Sequence, residues 1–129
     1  MTRIKNFEKL VELVERLRGE NGCPWDKEQT IASLKEDVLS EADELRVAIE
    51  KEDYENIKEE IGDVIWVLVL MAQIAKEEGR FDLENVLKEL NDKIVRRHPH
   101  VFGNAKAKNA EEALKLFREA KANEKKTKK

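Results

Sequence analysis

A chain of 129 residues with 41% charged and 40% apolar side chains has enough apolar surface for one core, and it must carry its charges on the faces of amphipathic elements rather than in disordered stretches. Five glycines and two prolines, set against abundant Glu, Lys, Ala and Leu, give the composition of a helical protein, and a formal net charge of −3 excludes an overall basic field for nucleic acid. One cysteine excludes an intramolecular disulfide, and no apolar run approaches the roughly 20 residues that cross a bilayer, so a cytoplasmic chain with no membrane and no nucleic-acid partner is expected.

Ile4, Phe7, Leu10, Val11, Val14 and Leu17 recur at three- and four-residue intervals, which predicts a helix over residues 3–18 with one buried stripe, stopped by Gly19 and Gly22. The turn formers of "GENGCPWDKEQT" predict an ordered loop, in which Trp25 either plugs the core or stacks on a base. Val38, Leu39, Ala42, Leu45, Ala48 and Ile49 mark a second helix over residues 34–50, and after the break "KEDYEN" a third runs over residues 54–78 to a cap at Gly79. Leu83, Val86, Leu87, Leu90, Ile94 and Val95 mark a fourth, ending near Arg97 because Pro99 blocks continuation. "HPHVFGNAKAKN" reads as a connector, and Asn109 caps a last helix with Ala113, Leu114, Phe117 and Ala120 inward. The expected fold is all-α, an antiparallel four-helix bundle with an additional C-terminal helix over residues 1–121, followed by a disordered lysine-rich tail at 122–129. In the third helix the side chains from Val64 to Met71 are apolar on every side of the axis, which predicts a homodimer or homotetramer that covers the outer face.

Carboxylates run into that apolar helix. Glu41 and Glu44 are three apart on the second helix, and Glu60 and Asp63 are three apart on the third, at similar angular offsets from the apolar stripes. Antiparallel packing of the two helices converges the four acids near a half-buried place, where they repel unless protonated or neutralised by a cation. Two readings stand at this point: charges paired to Arg or Lys at the stripe's edge, or a metal site. Carboxylate oxygens with no Cys nearby suit a hard ion, Mg²⁺ or Mn²⁺. A di-iron bundle needs Glu-x-x-His on two helices, and the only histidines, His98 and His100, flank Pro99 beyond a helix end. Lys93 and Arg97 are four apart, with Arg96 beside them, and either grip phosphate or serve the helix dipole.

With these residues in place the sequence resembles the MazG family of nucleoside triphosphate pyrophosphohydrolases, and the resemblance covers nearly the whole chain. "GCPWDKEQT", "LSEADELRVAIEKEDYENIKEEIGDV", "AQIAKEEGRFDLENVL", "NDKIVRRHPHVFG" and "FREAKANEK" follow the family's order and spacing, with "RRHPHVFG" closest to its amino-terminal type of domain. The family motif is Glu-Glu-x-x-Glu followed, after a spacer, by Glu-x-x-Asp. Glu41, Glu44, Glu60 and Asp63 match four of its five acids, and the resemblance implies that they bind Mg²⁺ and carry catalysis. It implies that Lys93, Arg97 and Lys121 bind the triphosphate, with Phe117 in place of a family tryptophan. The implied reaction cleaves a nucleoside triphosphate to its monophosphate and pyrophosphate, including house-cleaning of modified nucleotides. Ser40 stands where the family has its first glutamate, so the alternative is a nucleotide-binding or regulatory helical module of low catalytic rate.

Overall fold

The computed structural model describes the backbone of residues 2–127 and the side chains of residues 3–125; among these there are helices and no strands, as the all-α expectation requires. In chain order the helices are α1 (Thr2–Arg18), α2 (Pro24–Glu28), α3 (Lys35–Glu50), α4 (Tyr54–Glu77), α5 (Leu83–Arg96), α6 (Pro99–Phe102) and α7 (Ala110–Thr127). The short α2 and α6 lie inside the segments expected to be loop and connector. Each begins with proline at its first turn, where the missing N–H would have no helical partner anyway. The chain divides into two compact units, Met1–Leu83 and Glu84–Lys129.

In the first unit α4 packs against both α3 and α1. Val14 of α1, Leu34, and Val69, Leu70 and Ile74 of α4 form the core, with Leu10, Val11, Ile31, Val67, Met71 and Leu83 against it. The apolar stripes are thus only partly used. On α1 the early stripe residues Ile4 and Phe7 stay exposed, and on α3 Leu39 and Ile49 do, leaving Ala48 as the one buried residue of that helix. Val14, Leu34 and Ile74 are at most 2% exposed, and burial of each such side chain is worth about 1.5–3 kcal/mol.

Helix ends in this unit follow local chemistry. Asp53 caps α4 by accepting from the Asn56 N–H at 3.2 Å, and Gly79, at φ +71°, closes it with the Arg80 N–H donating to the Ala75 carbonyl. The same closure ends α3, where the Asp53 N–H donates to the Ala48 carbonyl, but there Glu52 holds the left-handed position at φ +54°. Arg18 fastens the segment around α2. Its Nη1 donates to the carbonyls of Asp26 (2.6 Å) and Gln29 (2.9 Å), while Nε and Nη2 grip the Glu77 carboxylate of α4.

In the second unit α5 is amphipathic, yet none of its residues is buried, and Val86, Leu90, Ile94 and Val95 are each at least 40% exposed. Sequence periodicity predicted that stripe to face inward; the stripe exists without a covering layer in the single chain. Asn109 caps α7 as expected, accepting from the Glu112 N–H at 2.9 Å. α7 continues to Thr127, beyond residue 121 where the tail was expected to begin, because "ANEKKT" contains good helix formers and no breaker. Residues 128 and 129, part of the expected tail, lie outside the described residues.

Candidate functional site

The α3–α4 hairpin builds the acidic site. Glu41 lies nine residues before the end of α3 and Asp63 nine residues after the start of α4, so both stand about 14 Å from the turn at 1.5 Å rise per residue. Antiparallel packing then brings them to the same level. One carboxylate oxygen from each of Glu41, Glu60 and Asp63 falls within a set whose members all lie within 4.8 Å of one another. Glu44 is more exposed than these three but neighbours Glu41 and Glu60 closely enough to act on both carboxyls.

The converging acids are buried or half-buried. Glu60 is 7% exposed, and Glu60 Oε2 and Glu41 Oε2 are each buried without a hydrogen-bond partner. Among the described residues no Lys or Arg pairs with Glu41, Glu44, Glu60 or Asp63, in contrast to the many ion pairs elsewhere. That removes the reading of ordinary charges matched at the stripe's edge. Burial, reinforced by the Glu44 and Asp63 carboxylates, pushes Glu41 up to about 7. Burial, with Glu44 and Asp63 again adding, pushes Glu60 up as well. The cluster therefore holds a proton near neutrality that a cation can replace. An all-oxygen donor set of this kind fits a hard divalent ion.

Other sequence candidates fall in different places. Trp25 lies on α2 with 54% of its surface exposed, so it does not plug the core; its backbone carbonyl accepts from Gln29 Nε2 at 2.9 Å and the ring remains open. Ser40 is exposed on α3, directly before Glu41. Cys23, a free and half-buried cysteine, precedes α2 without a side-chain cap hydrogen bond.

In the second unit Lys93 is half-buried and Lys121 exposed. Arg97 is not a free cation: its Nε and Nη2 donate to the two oxygens of Glu124 at 3.1 and 2.9 Å, and its guanidinium lies 5.5 Å from the centre of the Phe117 ring. His98 Nδ1 contacts the Ile94 carbonyl at 2.5 Å, and its ring packs edge-on to Phe117 and tilted to His100. His98 thus serves local hydrogen bonding and packing as expected, whereas His100 packs against His98 and its Nδ1 is buried without a hydrogen-bond partner among the described residues, against the expectation of local hydrogen bonding. Glu124 had no role in the sequence reading. The signal that finds it is its register, seven residues after Phe117 and three after Lys121 on one face of α7.

Comparison with known proteins gives a consistent result. The model of the MazG nucleotide pyrophosphohydrolase domain matches residues 29–102. A nucleoside triphosphate pyrophosphohydrolase of Escherichia coli K12 is 42% identical over 122 residues, covering 94% of this chain and 46% of the relative. The nucleoside triphosphate pyrophosphohydrolase/pyrophosphatase MazG of Thermotoga maritima is 48% identical over 99 residues, covering 77% of this chain and 39% of the relative. The chain thus spans less than half the length of these two relatives. A crystal structure of a mazG-related protein from Thermotoga maritima superposes with a TM-score of 0.73 at 37% identity, covering 89% of this chain and 98% of that one.

Proposed function

Because the chain belongs to the MazG nucleotide pyrophosphohydrolase domain family, we propose that it hydrolyses nucleoside triphosphates between the α and β phosphates, giving the monophosphate and pyrophosphate, with Mg²⁺ or Mn²⁺ held by its acidic cluster. The observation that carries this reading is the convergence of Glu41, Glu60 and Asp63 within 4.8 Å, with buried oxygens on two of them lacking any partner. An ion held by Glu41, Glu60 and Asp63 would supply charge neutralisation at phosphate and acidify water at that place. Glu44, more exposed and close to both glutamates, takes the proton released when water attacks the α phosphorus. Water's oxygen bonds to that phosphorus as the bridging P–O bond breaks, and pyrophosphate leaves with its electrons. Lys93, Arg97 and Lys121 offset phosphate charge, and the open ring of Trp25 offers a stacking face for a base. Removal of modified nucleotides is the biological role we attach to this chemistry.

Self-association belongs to the same proposal. Ile61, Ile65 and Leu68 of α4 are 41–48% exposed and at helical spacing share one side of it, an apolar face that a second copy of the chain would cover.

The second reading, a nucleotide-binding or regulatory module with low turnover, is favoured by Ser40, which stands on α3 where the family motif has a glutamate and whose hydroxyl takes no proton at neutral pH. Product analysis separates the two. Mg²⁺-dependent release of pyrophosphate that Glu60→Gln and Asp63→Asn abolish, with helicity retained, supports the enzyme; nucleotide binding without product supports the module. A large gain in rate for Ser40→Glu would show a site complete but for one carboxylate.

A further inference from the structure

The second unit contains an ion-pair arrangement more elaborate than helix capping requires. Two consecutive arginines at the end of α5 converge on one carboxylate from α7: Arg96 Nε donates to Glu124 Oε2 at 2.9 Å, and Arg97 donates to the same oxygen at 3.1 Å and to Oε1 at 2.9 Å. Glu124 is 9% exposed, and the hydrogen bonds from Arg97 and then Arg96 hold its carboxyl down at about 2, so it is anionic throughout the physiological range. Neighbouring guanidinium groups repel each other, and a shared buried anion is what allows them to stay side by side. Arg97 is further fixed by the Phe117 ring and is only 16% exposed at its side chain.

The orientation leaves useful donors. Both arginines turn their Nε edge to Glu124, so Nη1 of Arg97 and both Nη atoms of Arg96 have no hydrogen-bond partner among the described residues. Arg96 and Glu124 line a cleft of about 620 Å³ that also includes Glu119 but not Arg97, so there is room for a ligand on the Arg96 side of the pair. Phe117, Lys121 and Glu124 share one face of α7, which places Glu124 in the same register as the cationic residue assigned to phosphate.

We propose that Glu124 is a positioning residue: its carboxylate holds Arg96 and Arg97 in register so that their remaining Nη groups take the oxygens of a phosphoanhydride chain. Arg96 thereby joins Arg97 as a phosphate contact. This rests on the assignment of Arg97 to the substrate phosphates. It differs from simple competition, in which an anionic side chain blocks the arginines and its removal would tighten binding. The two differ in sign.

The test uses the whole chain and inorganic tripolyphosphate as probe, measured by titration calorimetry, with pyrophosphate release from a nucleoside triphosphate measured in parallel. Glu124→Gln should weaken tripolyphosphate binding about tenfold and raise KM by a similar factor with kcat within about twofold. In an Arg97→Ala background, Glu124→Gln should add little further loss, because the residue it positions is gone. Should Glu124→Gln lose helicity, Glu124→Asp, which keeps the charge but withdraws it by one methylene, should give about a threefold loss. Unchanged or tighter tripolyphosphate binding by a folded Glu124 variant overturns the positioning role while leaving the hydrolase activity standing. A wild-type chain that releases pyrophosphate yet has no affinity for tripolyphosphate overturns it as well.

Discussion

Adding a divalent cation should stabilise the fold, and the gain should depend on pH in a way the Glu41 carboxyl dictates. Without an ion, Glu41 is pushed up to about 7 from its ordinary 4.5. The folded state therefore binds more protons than the unfolded chain between those values. That favours folding fully below about pH 4.5 and is lost as pH rises through 7, so the ion-free protein should melt lower at pH 8 than at pH 5. Glu124 and Glu77, whose carboxyls are held down by arginines, act in a separate window: their contribution is present above about pH 4.5 and lost only on further acidification. With a pKa of about 7, Glu41 is about nine-tenths ionised at pH 8 and about one-tenth at pH 6, so apparent Mg²⁺ affinity should fall about tenfold. A Mg²⁺ concentration 100-fold above Kd at pH 8 stabilises the fold by about 2.7 kcal/mol, and the same concentration at pH 6 by about 1.4 kcal/mol. In thermal unfolding followed by circular dichroism this amounts to about 10 °C at pH 8 and about 5 °C at pH 6. Equal shifts at the two pH values, or an undiminished shift in Asp63→Asn, would refute the cluster as the ion's site.

Glu52→Gly should raise stability by about 1 kcal/mol, because Glu52 holds a left-handed φ of +54° that glycine adopts without steric cost; urea unfolding reads this directly, and a loss would contradict the strain. Ile74→Ala should lower stability by about 2–5 kcal/mol, since Ile74 is 2% exposed at the centre of the core. Leu68→Lys should leave the helical spectrum intact and shift sedimentation toward the monomer, as Leu68 is 48% exposed on the outer face of α4; an unchanged sedimentation coefficient would place the subunit contact elsewhere.

What the sequence disclosed follows from what periodicity encodes. The long helices emerge from three- and four-residue apolar spacing, and the acidic cluster from two i, i+3 pairs joined by a break short enough to force an antiparallel hairpin. Periodicity finds an apolar face without saying what covers it. The stripes of α1, α3 and α5 were therefore read as inward, while Ile4, Leu39 and Val95 remain exposed. The short α2 and α6 are too brief to show a period, and their prolines read as turn signals although each starts a helical turn. Glu124 was hidden for another reason. Its meaning depends on Arg96 and Arg97, 28 and 27 residues earlier, and no local pattern carries that pairing. Of the two readings of Trp25, the core plug fails, because Arg18 ties down the backbone around α2 and leaves the indole outside.

The most direct measurement incubates the chain with a nucleoside triphosphate and Mg²⁺ and identifies the products, for the wild type and Asp63→Asn in parallel. Equal amounts of monophosphate and pyrophosphate from the wild type, with at least a hundredfold loss in the variant, are expected from a cluster that places an ion at the phosphates. Diphosphate with inorganic phosphate as products, or unchanged turnover in Asp63→Asn, would contradict it.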